Sequence, residues 1–329
     1  MPHALLLRRP MHRARSLLLF LAVVGCEDRE FEPREALPEP GPHVVIAGRT
    51  AAASDSLLLG VGEGLSMPET AVHDTLADVY LLSNVNGAFT AKDNNGFIAR
   101  ISPAGRVLEA KWISGGENGV TLHGPAGIAL SGDTLFVADV DAVRLFGRKT
   151  GSPLGEWPVP AAVFLNGLSV GADGAVYVTD TAIRPAASGE MREDGVDAVY
   201  RIERNGRVTA LARRQELLRP NGIIATPQGL LVASFGTDSI YRLTADGAQA
   251  AYATLPLGQL DGLLRLPDGS LLVASWRGKA VYRVSPGGDT STVLTNAVTP
   301  AGLGYDARRK RLLVPLVQLN RLVMQPLER

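Results

Sequence analysis

The sequence predicts an all-β fold, a six-bladed β-propeller, on three observations. First, six segments share one plan, in which a short motif begins a strand and a turn leads to a second, apolar strand. Second, the segments recur with a period near 40 residues, the spacing typical of propeller blades built from four short strands. Third, the strands do not alternate with the long amphipathic helices that would indicate a parallel sheet.

The repeat is clearest at one position at the inner end of each first strand, which we call the ring position. It is occupied by Glu69, Ala126, Asn166, Asn221, Asp261 and Ala301, in steps of 57, 40, 55, 40 and 40 residues. Asn-Gly and Asp-Gly pairs are common in turns, which would explain the polar residues without a functional role. Two segments, however, have alanine at this position and still keep the glycine. The blade therefore requires the glycine, and the polar side chains need another explanation.

The second strand of each blade is a continuous apolar run, as expected for strands buried on both faces between neighbouring blades. These runs span residues 79–84, 135–140, 176–181, 230–235, 271–276 and 312–317. Blade six is incomplete, because only the run at 321–327 follows its second strand. We expect an N-terminal strand, from 43–48 or 56–61, to complete it and leave no free sheet edge.

The two long steps in the repeat place extra residues in blades one and three, at 85–95 and 182–197. Both insertions fall between the second and third strands of their blade. In a four-stranded meander this connection lies on the same face as the ring position. Loops of this length are often functional, so we expect both insertions to overhang the ring positions.

The N-terminal region predicts export and a lipid anchor rather than a membrane span. Residues 1–15 carry four arginines and no acid, and an apolar run of about ten residues then ends at Cys26, far short of the roughly 20 residues that a spanning helix needs. The sequence Val23-Val24-Gly25-Cys26 resembles the lipobox of bacterial lipoproteins, in which the cysteine is lipidated. Residues 1–26, or 11–26 if Met11 is the start, are thus a predicted signal peptide, 27–42 an acidic, proline-rich tether, and 43–329 the propeller.

Composition excludes several classes of protein. Lys plus Arg and Asp plus Glu both number 33, so the zero net charge gives no electrostatic reason to expect a nucleic acid partner. The hydrophobic fraction of 46% is sufficient for a core, and the single cysteine excludes an internal disulfide.

We expect a monomer of the bacterial cell envelope, facing the periplasm or the cell surface, that contacts the membrane only through its lipid.

The polar ring positions predict a cation site. Four blades bring two carboxylates and two amides towards one axis, and two bare carboxylates in a narrow channel would repel each other. All four side chains offer oxygen and none is histidine or cysteine, which favours Ca²⁺ over Zn²⁺. The predicted metal ligands are therefore Glu69, Asn166, Asn221 and Asp261.

Residues 65–327 resemble the senescence-marker-protein and gluconolactonase group, which includes regucalcin, and more distantly the paraoxonases and strictosidine-synthase-like proteins. The motifs that carry the resemblance are Pro68-Glu69, FLNG at Asn166, PNG at Asn221 and LDG at Asp261, in order and at blade spacing. The resemblance implies a six-bladed propeller with a divalent cation at the mouth of its channel, held by those four residues. It also implies a small-molecule substrate, a lactone or an ester.

Two functions remain open from the sequence. In a cation-dependent hydrolase, the cation would polarise the substrate carbonyl, and Asp261, His123, Asp139 or Asp180 would be a candidate general base. The alternative is a non-catalytic binding propeller with a structural calcium ion, favoured by Ala126 at the ring position of blade two. The GxSxG match at 167–171 lies on a predicted first strand with no helix after it, and so does not indicate a nucleophile elbow.

Overall fold

Six four-stranded antiparallel sheets make up the fold, and the prediction of an all-β six-bladed propeller is confirmed. The computed structural model describes residues 45–46, 49–50, 57–59, 63–185 and 191–327. All of these residues belong to one compact unit, Pro40–Arg329. The predicted signal peptide and tether lie outside the described residues. Within the described part of the chain, no helix has the length and hydropathy that a membrane span needs.

In blades one to five the strands are hydrogen-bonded to one another in sequence order, and the first strands of neighbouring blades pack side by side around one axis. Before blade one, the described strands are β1 (Val45–Ile46) and β2 (Arg49–Thr50), which pair with each other, and β3 (Leu57–Leu59). Blade one contains β4 (Pro68–Asp74), β5 (Val79–Asn84), β6 (Phe97–Ile101) and β7 (Val107–Ser114). Blade two contains β8 (Pro125–Ser131), β9 (Thr134–Asp139), β10 (Ala142–Gly147) and β11 (Pro153–Pro158).

Blade three is interrupted by a small hairpin from its insertion. It contains β12 (Leu165–Val170), β13 (Val176–Asp180), the hairpin strands β14 (Ile183–Pro185) and β15 (Met191–Glu193), then β16 (Ala198–Ile202) and β17 (Val208–Arg213). Blade four contains β18 (Pro220–Thr226), β19 (Gly229–Ser234), β20 (Ser239–Leu243) and β21 (Gln249–Thr254). Blade five contains β22 (Leu260–Arg265), β23 (Leu271–Ser275), β24 (Ala280–Val284) and β25 (Thr290–Leu294).

Blade six takes strands from both ends of the propeller. It contains β26 (Gly304–Asp306), β27 (Arg311–Leu316) and β28 (Arg321–Pro326), and β3 pairs antiparallel with β28, with Leu59 opposite Leu322. The described residues also include the 3₁₀ turns Gln215–Leu217 and Val317–Leu319. Closure of the ring by an N-terminal strand stays a prediction, which the pairing of β3 supports.

Blades six and one are in direct contact at the ring itself. The backbone N–H of Gly302 donates to the carbonyl of Glu69 at 2.7 Å, and that of Ala71 donates to the carbonyl of Gly302 at 3.1 Å. Nearer the opposite end of the channel, the buried Asp306 accepts from the Tyr80 hydroxyl at 2.7 Å and from Arg309 at 2.9 Å. The two blades therefore share backbone and side-chain hydrogen bonds across their junction.

The core lies between the blades, as the apolar second strands predict. All residues of β5 and of β23 are buried, which is expected for a strand covered on both faces. Each of six separate hydrophobic clusters combines residues of two adjacent blades. Stability is thus distributed around the ring, and the axis is left free for polar side chains.

Candidate cation site in the central channel

The ring position coincides with an irregularity in the first strand. In blades one to five the register between the first and second strands shifts across this position, for example between Pro220 and Ile223 in blade four and between Leu260 and Leu263 in blade five. Such a bulge bends a strand and redirects the side chain at that point. The side chains at the ring positions consequently do not follow the regular alternation of side chains between the two faces of the sheet.

The glycine after the ring position is required by the neighbouring blade. A Cβ atom on Gly167 would overlap the carbonyl oxygen of Asn221, and one on Gly222 would overlap that of Asp261. The same overlap with the next blade's ring carbonyl occurs at Gly127 and Gly262. This close approach of backbones explains why the glycine is kept beside Ala126, where no polar side chain is present.

Hydroxyl groups donate to two of the ring carbonyls. The Ser83 hydroxyl donates to the Ala126 carbonyl at 2.7 Å, and the Thr179 hydroxyl donates to the Asn221 carbonyl at 2.7 Å. Both donors lie on the second strand of the preceding blade. The backbone at the ring position is therefore fixed by its neighbours and not by the ring side chain itself.

The four polar ring residues converge as the sequence predicted. Glu69, Asn166, Asn221 and Asp261 all line one cavity of about 530 Å³ along the propeller axis. All four are buried, with exposed fractions of 3–4%. Two carboxylates and two carboxamides therefore share one secluded end of the channel.

Burial makes the charged forms of the two carboxyl groups unfavourable. It raises the pKa of Asp261 to about 7, while Trp276 partly opposes the shift. The indole N–H of Trp276 lies close to the Asp261 carboxylate and so favours its charged form. It is buried and makes no hydrogen bond of good geometry. Burial, together with the charge of Asp261, raises the pKa of Glu69 well above its usual range, and Glu69 Oε2 is buried with no hydrogen-bond partner.

The carboxamide of Asn166 is oriented by its neighbours. Its Nδ2 donates to Thr181 Oγ1 at 3.1 Å, and that hydroxyl donates to the Pro220 carbonyl at 2.9 Å. Since the amide nitrogen is used in this contact, the carbonyl oxygen Oδ1 is the atom left for the channel. The sequence did not indicate the role of Thr181, which directly follows the second strand of blade three.

These residues fit a hard divalent cation. Calcium takes six to eight oxygen ligands, from carboxylates, amide carbonyls and water, and the ring offers two of each side-chain type. The orphaned Oε2 of Glu69 and the raised pKa of both acids mark a site that lacks positive charge. Among the described residues, no group of three or more His, Cys, Asp or Glu side chains is placed to hold a metal ion. A cation here would therefore need the amide oxygens.

His123 does not line the cavity that the ring residues share. Its Nδ1 accepts from the backbone N–H of Asn94 at 3.0 Å, and its own backbone N–H donates to Asp139 at 2.8 Å. A neutral ring with Nδ1 accepting carries its proton on Nε2. The geometry thus gives His123 a role in joining the insertion of blade one to blade two.

Asp139 and Asp180, the other candidate general bases, both accept hydrogen bonds within their own blades. Asp139 accepts from the backbone N–H groups of His123 and Gly124 at 2.8 Å, and from Arg144 Nε at 2.9 Å. Asp180 accepts from the N–H groups of Val163, Phe164 and Ala182 at 2.9–3.2 Å. Both residues hold the loop that leads into the first strand.

The two insertions reach the ring, as expected. Phe89 from blade one and Ile183 from blade three pack with Phe164 around Ala126. The rings of Phe89 and Phe164 lie 5.5 Å apart. Ser169 of the GxSxG match lies on β12, which is followed by the strand β13 and not by the helix that a nucleophile elbow needs.

Comparison with known proteins gives likeness in fold at low sequence identity. No protein-family model and no curated protein matches the chain. A gluconolactonase from Xanthomonas campestris matches with a TM-score of 0.61 and 20% identity, over 89% of this chain and 99% of that one. The chain shares its fold with the gluconolactonases. This agrees with the resemblance read from the sequence.

Solved structures of proteins with other activities share the fold. A luciferin-regenerating enzyme matches with a TM-score of 0.59 and 14% identity, over 82% of this chain and 94% of that one. A virginiamycin B lyase from Staphylococcus aureus matches with a TM-score of 0.56 and 14% identity, over 83% and 99%. Because the fold is common to proteins of different activity, the function has to be argued from the ring.

Proposed function

We propose that the protein is a hydrolase of a lactone or an ester that depends on a divalent cation, calcium by preference. The proposal rests on one observation, the buried pair Glu69 and Asp261, whose carboxylates share a cavity with the amides of Asn166 and Asn221. The four side chains would hold the cation through oxygen. Likeness in fold to a gluconolactonase supports this choice of reaction.

A bound cation would polarise the substrate carbonyl and stabilise the oxyanion that forms when water attacks. Asp261 would take the proton of that water as the candidate general base. The water oxygen bonds to the carbonyl carbon, the C–O bond of the ester breaks, and the leaving oxygen receives the proton. Thr181 would keep Asn166 in register through its hydrogen bond.

Hydrolysis of a lactone panel tests the proposal. We expect the wild-type protein, freed of metal and then supplied with CaCl₂, to hydrolyse at least one lactone, and chelation to abolish the rate. Asp261→Asn should lower kcat/KM at least 100-fold, the usual scale for a positioned acid or base. Asp268→Asn is the matched control, because this carboxylate lies at an exposed turn of the same blade and should leave the rate unchanged.

Two results would count against the enzyme. Full activity of the Asp261→Asn variant would show that Asp261 has no part in catalysis. Stabilisation by calcium with no turnover of any lactone or ester would instead favour the alternative, a binding propeller with a structural cation.

We also propose that the chain is anchored at the bacterial cell envelope through lipid on Cys26. The support is the sequence of residues 1–26 alone, which lie outside the described part of the chain. Cys26→Ser is expected to release the protein from the membrane fraction while leaving its fold intact. Retention of the variant in that fraction would contradict a lipid anchor at this residue.

A further inference from the structure

Aromatic side chains flank the ring next to Asp261. Phe235 and Trp276 occupy equivalent positions, each directly after the second strand of its blade, β19 and β23. Their rings meet edge to face, with centroids 5.2 Å apart, and both side chains are only partly buried. The backbone N–H of Trp276 donates to the carbonyl of Gln259 at 3.1 Å, two residues before Asp261, so this aromatic pair lies at the ring and not elsewhere on the surface.

Two exposed leucines extend the same apolar surface. Leu218 and Leu257 are 48% and 44% exposed, and each lies in the connection that leads into the first strand of its blade. Their carbonyls accept from hydroxyls at the ends of the second strands, Leu218 from Ser234 and Leu257 from Ser275 at 3.0 Å. These contacts place Leu218, Phe235, Leu257 and Trp276 at one end of blades four and five. We call them the mouth patch.

The opposite side of the ring is apolar as well. Phe89, Phe164 and Ile183 pack around Ala126, the ring residue of blade two. Blade two therefore has the methyl group of Ala126 at the ring position, where four other blades have a polar side chain. Apolar side chains therefore lie beside the ring in blade two as well as in blades four and five.

Several polar groups beside the ring are already engaged within the protein. A substrate with many hydroxyls is selected by donors and acceptors that are free to bind it. Here the carboxylates at the ends of β9 and β13 accept backbone N–H groups, and the hydroxyls of Thr181, Ser234 and Ser275 donate to backbone carbonyls. They have internal partners in place of a substrate.

We propose that the substrate is a lactone or ester carrying an apolar substituent, alkyl or aryl, which packs on the mouth patch, and not a polyhydroxylated sugar lactone. This inference rests on the proposed function, since it names the substrate class of the same site. The carbonyl reaches the ring oxygens, and the apolar group leaves water for the aromatic and leucine side chains. Burial of each methylene in such a contact contributes about three- to four-fold in binding.

A chain-length series tests the inference. Rates are measured with calcium for δ-valerolactone, its alkyl-substituted homologues up to an eight-carbon side chain, and glucono-δ-lactone. We expect kcat/KM to rise about three-fold with each added methylene until the patch is covered, and glucono-δ-lactone to be the poorest substrate. Leu257→Asn should flatten the rise mainly through KM. The matched control is Leu154→Asn, since Leu154 is 59% exposed on the outer strand β11, and this variant should behave as wild type.

The possible failures are distinguishable. Glucono-δ-lactone hydrolysed as fast as the longest alkyl lactone would overturn the inference while leaving the hydrolase intact. If no lactone or ester is hydrolysed, the proposed function fails, and binding of an alkyl-substituted δ-lactam, measured by calorimetry, decides the inference. Binding that is lost in Leu257→Asn and kept in Leu154→Asn would support an apolar-ligand mouth, and no binding to the wild type would contradict it.

Discussion

Replacing Asp261 with asparagine is expected to raise the melting temperature of the cation-free protein and to remove its stabilisation by calcium. Asp261 and Glu69 are buried together, and burial raises the pKa of both carboxyl groups. In the unfolded chain the same groups titrate near pH 4. Between about pH 4 and pH 7 the folded state therefore binds more protons than the unfolded state, and the cation-free wild type loses stability as the pH rises. The side chain of the Asp261→Asn variant carries no charge, so the variant does not lose stability in this way as the pH rises.

The measurement is thermal unfolding at pH 5 and pH 8, with chelator and with calcium. At pH 8 with chelator we expect Asp261→Asn to melt higher than wild type by on the order of 5 °C, and the difference should shrink at pH 5. Calcium should raise the melting temperature of the wild type only. Asp180→Asn serves as control, because its carboxylate holds three backbone N–H groups, so its loss should lower the melting temperature with or without calcium. A cation-free Asp261→Asn less stable than wild type at pH 8 would show that the buried charges are compensated without a cation.

Gly222→Ala is expected to destabilise the propeller strongly although it adds one methyl group. The new Cβ would overlap the carbonyl oxygen of Asp261 on the next blade, and neither backbone can move without opening the ring of first strands. Overpacking of this kind costs about 3 kcal/mol or more. For a domain of this size the melting temperature should fall by on the order of 10 °C.

Gly287→Ala is the matched control for that substitution. Gly287 lies in the turn before β25, and a Cβ there would meet only side-chain oxygens at 3.6 and 3.8 Å. We expect a change within about 0.5 kcal/mol. A small effect of Gly222→Ala, similar to that of the control, would mean that the inner strands can separate and that the ring geometry is less tightly determined than the contacts indicate.

The sequence predicted the blades well because their signal is a backbone period repeated six times. The predicted second strand at 79–84 agrees with β5 to the residue. The ring residues followed from the same period, since equivalent positions in a closed propeller must meet at the axis. Local pattern, repeated often enough, was therefore sufficient to find both the fold and the convergence of Glu69, Asn166, Asn221 and Asp261.

The repeat did not predict which side chains would contact each other across loops. Asp139 and Asp180 are candidates for catalysis in the sequence, because an acid after an apolar strand looks free. In the structure each holds backbone N–H groups some 15 residues earlier in the chain. The proximity of Trp276 to Asp261, and the hydrogen bond from Asn166 to Thr181, likewise depend on how neighbouring loops pack. No spacing rule encodes these partners.

The arrangement around the axis separates what the backbone needs from what the chemistry needs. In blades two to five the glycine sets the position of the first strand against the next blade, so the backbone does not depend on which side chain precedes that glycine. Ala126 occupies such a place as readily as Asp261 does. A protein built in this way can acquire or lose a charge at any of six equivalent sites through a single codon change, without first having to evolve a new scaffold. Divergence of activity within one architecture would then require few steps.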